Sequence, residues 1–181
     1  MLDKTRLRHP ALFDKIVPPE TAAELIEDGM NVGVSGFTPS GYPKAVTLAL
    51  AKAVANGRRC RINIWSGASV GPEIEEALAS VGAVAGRAPY YAASNKSMRA
   101  SINRGEIHYT DIHLSHFGPQ VDCGFFGEVD VAIVEAVAIT AEGHLVLGPG
   151  VGNTPLLVKN ARKVIVEVNT AQPLELEGMH D

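Results

Sequence analysis

The chain has 181 residues, 46% hydrophobic and 20% charged, with 18 glycines, 11 prolines and a formal charge of -4. That is the makeup of one ordinary globular domain, long enough to bury a single core. Sixteen Lys and Arg against 20 Asp and Glu, with nothing more basic than Arg58-Arg59-Cys60-Arg61, leave no electrostatic footprint for nucleic acid or an anionic membrane.

The opening MLDKTRLRHPALFDK lacks the apolar region and cleavage site of a secretory signal, and no apolar run approaches the ~18 residues of a membrane span. A cytoplasmic location is expected. An amphipathic piece covers residues 3–15, and Pro18-Pro19-Glu20 places proline and an early carboxylate where the free amides of a helix start accept them. A short helix over 19–27 follows and stops at Gly29. Asn31-Val32-Gly33-Val34-Ser35-Gly36 reads as a buried strand of a parallel sheet, and the chain then turns through 37–43. From 43 to 56, with Val46, Leu50 and Val54 four apart and Gly57 at the end, the pattern predicts a helix. Residues 61–65 alternate as a strand, 66–71 turn, and Pro72-Glu73 opens a helix to Val81.

Residues 82–89 read as a loose connection. A helix over 95–103 leads to Ile107-His108-Tyr109-Thr110-Asp111, and 114–126 is helical or irregular. A strongly apolar strand covers 129–134, Ile139 with 144–147 suggests a short hairpin, 154–160 is a helix, and 163–168 is the closing strand. This alternation predicts an α/β domain: an open, mainly parallel sheet with helices on both faces and ligands outside the carboxyl ends of the strands. No repeat of fixed period is visible.

The densest chemical signal is Ser35-Gly36-Phe37-Thr38-Pro39-Ser40-Gly41-Tyr42-Pro43, between a buried strand and a helix start. Glycines there permit positive φ and close backbone approach, and free helix-start amides suit a carboxylate or phosphate; a ligand-free βα turn is the plain alternative. It matches neither the dinucleotide fingerprint nor the phosphate loop. Ser66-Gly67-Ala68-Ser69-Val70-Gly71 follows the same logic, with Ser66 or Ser69 either contacting an anion or capping the next helix. Asn95-Lys96-Ser97-Met98-Arg99 and Val151-Gly152-Asn153-Thr154-Pro155 are further helix starts with polar side chains. Glu135, ending an apolar strand, is a base or nucleophile, or it is paired with Lys or Arg, the commoner fate. His108, His113 and His116 match no zinc spacing and are read as packed or solvated, so no metal is expected. Cys60 and Cys123 stand singly, which draws neither a disulfide framework nor a zinc knuckle, and both are expected to be buried or half-buried.

Together, SGFTPSGYPKAV, the WSGAS turn, RASINRGEI, VDVAIVEAVAIT, GHLVLGPGVGNTP and the final LEGMHD resemble the acetyl-CoA hydrolase/transferase family, class I coenzyme A transferases of the succinyl-CoA:acetate and propionyl-CoA:succinate kind. The resemblance spans almost the whole chain but only the amino-terminal domain of that family. It implies a NagB/RpiA/CoA-transferase-like fold over residues 1–170, with 171–181 starting a linker to a second domain. It also implies ping-pong transfer of coenzyme A between small carboxylic acids through a glutamyl-CoA thioester.

The nucleophilic glutamate then belongs to the second domain, and no catalytic residue is expected in this chain. Coenzyme A thioester is substrate rather than resident cofactor, and the full-length protein is expected to be a homodimer. By motif position the carboxylate-binding residues carried over are Gly36, Phe37 and Thr38, Ser69, and Ser97; the segment Ala92-Ala93-Ser94-Asn95-Lys96-Ser97 fits the family pattern loosely. An acetyl-CoA hydrolase is the alternative reaction. A sugar-phosphate-binding or sensor domain of the same fold and a non-catalytic subunit are the alternatives outside catalysis.

Overall fold

The computed structural model describes residues 5–179. Six parallel strands, β1 (Asn31–Val34), β2 (Ile62–Ser66), β3 (Val84–Ala88), β4 (His108–Tyr109), β5 (Val129–Ala136) and β8 (Ala161–Val168), lie in the order β4-β3-β2-β1-β5-β8. A separate antiparallel pair joins β6 (Ala138–Ile139) to β7 (Leu145–Val146). The helices are α1 (Pro19–Glu24), α2 (Ala45–Ala55), α3 (Glu75–Ser80), α4 (Lys96–Asn103), α5 (Leu114–Asp122) and α6 (Thr154–Asn160).

Period-2 alternation of the strands sends neighbouring residues to opposite faces. Val32, Val34, Ile62, Ile64, Val131 and Ile133 join Ile26, Val46, Leu50, Ile74, Leu78 and Met98 in one core under the layer α1 to α4. Trp65, paired in register with Gly33 and Ala88, meets Phe117 and Val121 of α5 and Leu157 of α6 on the other face. Gly33 leaves room for this packing, since a Cβ would stand 3.0 Å from Leu157 Cδ2 and push that side chain back. Each of these fully buried aliphatic side chains contributes ~1.5–3 kcal/mol. The expected open α/β sheet with helices on both faces is the fold observed.

Several local expectations are corrected. Residues 82–89 are not a loose connection but carry β3, paired to β2 with one register shift between Ile62 and Asn63. Its sequence, Val-Ala-Gly-Arg-Ala, shows no alternation because the strand is covered on both faces, its glycine sits against Asn63, and its arginine is neutralised in the interior by Glu75. Within the amphipathic amino-terminal piece, Leu7 bridges to Ile139 beside the small sheet and Pro10–Lys15 forms a 3-10 helix; residues 3 and 4 lie outside the described residues. Cys60 is buried as expected, and burial pushes its thiol up. Cys123 is exposed instead, because α5 ends at Asp122 and releases the next residues to solvent. Of the expected linker, residues 171–179 run over the small sheet, where Leu174 and Leu176 pack on Val137, Ala138 and Val146; residues 180 and 181 lie outside the described residues.

Candidate functional site

Strands β2, β3 and β4 extend the sheet on one side of β1, and β5 and β8 on the other. All six strands run parallel, but the order in which the chain adds them reverses between β1 and β5, and the crevice outside their carboxyl ends is where an open α/β sheet takes ligands. Three glycine-rich segments meet at this end. Gly67 after β2 is pressed against the first turn and the segment before α6, so that a Cβ there would lie 2.9 Å from Gly36 O, 2.8 Å from Gly152 Cα and 2.7 Å from Asn153 N. A Cβ on Gly41 would stand 2.6 Å from Gly150 O, and Gly71 faces the Tyr42 ring without room for any side chain.

The first turn is held from below. Ser35 Oγ donates to Gly41 O at 2.7 Å and accepts from Glu135 N at 2.9 Å, which ties the turn to β5. Phe37 N donates to Ser40 O at 3.0 Å, closing the tip. Thr38 at that tip has φ +55°, a left-handed conformation that costs a β-branched residue ~1–2 kcal/mol. Phe37, 44% exposed, presents an aromatic ring to solvent beside it. Phe37, Thr38 and Ser40 line an open cleft of about 730 Å³ together with residues 149–152 and Met179, Ser40 being packed against Gly150.

Of the residues expected to bind, Phe37 and Thr38 line this cleft and Gly36 lies buried behind them, its carbonyl against Gly67 and Gly152. Ser69 is half-buried on the neighbouring turn at the same end of the sheet but does not line the cleft. Ser97 stands apart: its hydroxyl donates to Glu76 Oε1 at 2.6 Å and its amide to Glu76 Oε2 at 2.9 Å, so a carboxylate of the protein already takes both donors.

The helix-start argument is corrected in the same way. Glu167 of β8 accepts from Lys44 N at 2.7 Å, Ala45 N at 3.0 Å and Val46 N at 2.7 Å, so the start of α2 holds an internal carboxylate and is closed to a substrate anion. What remains open to a ligand is the exposed tip of the turn.

Glu135 takes the paired role: it is 5% exposed and Lys44 Nζ donates to its Oε2 at 2.7 Å. Lys44 Nζ also bonds Tyr42 O at 2.7 Å and lies 4.0 Å from the Tyr42 ring centre. Burial, then the hydrogen bond to Glu73, pushes the Tyr42 phenol up to about 12. The second turn rests on a fully buried ion pair, Arg87 Nη2 to Glu75 Oε1 at 2.7 Å. Glu75 also accepts from Val70 N, Ala92 N and Asn95 Nδ2, and Arg87 donates to Ala68 O at 3.0 Å. His113 accepts from Ser115 N at 3.3 Å, capping α5.

Sequence reasoning singled out Val151 and Gly152 of the cleft wall as part of a helix start but missed Pro149, Gly150 and Met179. The glycine density of 148–152 was a usable signal for the first two; nothing local marks Met179. It also missed Glu75, Arg87 and Glu167, for which a lone arginine among small strand residues was the only hint.

A profile described as the acetyl-CoA hydrolase/transferase N-terminal domain matches residues 2–181. Succinyl-CoA:acetate CoA-transferase of Clostridium kluyveri is 48% identical over 177 residues, covering 97% of this chain and 32% of that protein. Propanoyl-CoA:succinate CoA transferase of Escherichia coli is 39% identical over 82% of this chain and 30% of its own length. Acetyl-CoA hydrolase of Neurospora crassa is 38% identical over 98% of this chain and 35% of its own. The chain thus spans about a third of the length of these relatives. RipA from Yersinia pestis superposes with a TM-score of 0.74 at 20% identity, over 90% of this chain and 38% of that one. Glutaconate coenzyme A-transferase from Acidaminococcus fermentans gives 0.67 at 14%, over 84% and 68%. At these identities the two structures establish the shared fold. No helix among the described residues is long and apolar enough to cross a membrane.

Proposed function

This chain belongs to the acetyl-CoA hydrolase/transferase family, as its N-terminal domain, and on that premise we propose that it forms one wall of a cleft in which coenzyme A passes between small carboxylic acids. The observation that carries this reading is the convergence of three glycine turns at the sheet's reversal point, leaving Phe37, Thr38 and Ser40 on the face of an open cleft. The Ser40 hydroxyl and the backbone of the strained tip receive the carboxylate of the substrate, joined by the Thr38 hydroxyl when it turns from Phe37 O, to which it donates at 2.6 Å, and the Phe37 ring shields the reacting group from water. Ser69 backs this wall from the second turn. Ser97 serves only if Glu76 yields its bonds.

The reacting carboxylate is a glutamate of a second domain. It attacks the thioester carbonyl of acyl-CoA, expelling coenzyme A as thiolate and forming a mixed anhydride. The thiolate then attacks the glutamyl carbonyl, the anhydride breaks, the acyl carboxylate leaves, and a glutamyl-CoA thioester remains. An incoming carboxylate reverses these steps. If water attacks instead, the outcome is hydrolysis, the reaction named for the Neurospora crassa relative. Coenzyme A enters as substrate, and the complete protein works as a cytoplasmic homodimer.

The test replaces the amino-terminal third of the Clostridium kluyveri transferase with this chain. Consumption of succinyl-CoA that depends on acetate and yields acetyl-CoA supports transfer; loss of succinyl-CoA at the same rate without acetate supports hydrolysis. A folded chimera that does neither overturns the proposal.

A further inference from the structure

Glu135 of β5 and Glu167 of β8 are register partners on adjacent parallel strands, so two carboxylates stand side by side on one face of the sheet, beneath the first turn. Like charges so placed repel. Glu167 is balanced by three amides at the start of α2. Glu135, 5% exposed, has no such support; among the described residues its carboxylate is bonded by Lys44, whose 40% exposed side chain also reaches the turn at Tyr42 O. Residues 36–43 therefore lie directly over a buried negative charge that one lysine cancels.

We infer that Lys44 is an electrostatic screen for the carboxylate-receiving turn: it neutralises Glu135 so that a second carboxylate, that of the substrate, can approach Thr38 and Ser40. Lys44 acts through Glu135 and touches no substrate, which makes it a positioning residue. This rests on the carboxylate-binding role proposed above and adds to it a reason for anion tolerance in a wall whose nearest internal charges are acidic.

A screen and a brace predict opposite signs. Removing the cation exposes a negative charge; removing the anion leaves a positive one. At roughly 10 Å and an effective dielectric of about 20, one uncompensated charge changes anion binding about tenfold. In the chimeric transferase, Lys44→Met raises the acetate KM about tenfold, Glu135→Gln lowers it severalfold, and the double variant returns to within about twofold of the parent. If the pair merely braces the turn, both single variants raise the acetate KM and the double variant is no better than either; that result overturns the inference and leaves the transferase reading standing. Should Lys44→Met not fold, the sign of the isosteric Glu135→Gln change decides alone. A folded parent chimera that neither transfers nor hydrolyses overturns both readings; one that only hydrolyses takes no carboxylate acceptor and overturns this inference alone.

Discussion

Removing the Glu75 carboxylate should be among the most damaging single changes in this chain. Glu75 and Arg87 are both 0% exposed, and each holds pieces that are distant in sequence. Glu75 Oε1 accepts from Arg87 at 2.7 Å and Val70 N at 3.0 Å, and Oε2 from Ala92 N at 2.7 Å and Asn95 Nδ2 at 2.5 Å. Among the described residues Arg87 Nε already lacks a partner, and burial pulls the guanidinium below its ordinary value against the raising pull of Glu75. Glu75→Ala therefore strands a desolvated cation and three further donors, a loss of ~3–5 kcal/mol. For a domain of this size each kcal/mol lowers the melting temperature by roughly 2–4 °C, so a fall of roughly 6–20 °C is expected. Urea unfolding followed by circular dichroism measures the free energy, with calorimetry for the melting point. The double variant Glu75→Gln with Arg87→Met removes both charges and should cost less than the sum of its parts, with a coupling of ~1–3 kcal/mol. A loss below about 1 kcal/mol for Glu75→Ala, or strictly additive effects, would refute the claim that this pair supports the second turn.

Three other perturbations probe the start of α2, the Tyr42 phenol and, at the amino ends of the strands, the Arg104–Glu106 pair. Glu167→Ala uncaps α2 and should lower stability by ~1–2 kcal/mol in urea unfolding, with local amide exchange rising at 44–46. The Tyr42 phenol, held up to about 12 first by burial and then by Glu73, has a folded value above its unfolded 10.0; its contribution is complete below pH 10 and fades as pH rises through 12, and Glu73→Gln should lower the midpoint in an ultraviolet titration. Glu106 is exposed but held down to about 2 by its hydrogen bond from Arg104, below the ordinary 4.5; its contribution is present above that value and lost as pH falls toward 2, and Arg104→Ala should return its carboxyl titration, followed by NMR, to the ordinary range.

The sequence by itself determined what nearest neighbours along the chain decide. Apolar spacing placed α2, the alternation at 61–65 placed β2, and the glycines at 36 and 67 marked where backbone must come close, because periodicity and the steric freedom of glycine act over a few residues. The hydroxyl-bearing turn at 35–43 was legible for the same reason. Strand order was not, and everything that depends on it came only from the tertiary structure. β3 escaped notice because its arginine is made tolerable by a glutamate on another element. The start of α2 looked free for a ligand because the carboxylate that closes it lies 121 residues further along the chain. Met179 reaches the cleft through a path over the small sheet that no local pattern encodes. Local chemistry says which groups need a partner; only the packing of distant strands says which partner arrives, and so which turn stays open to solvent.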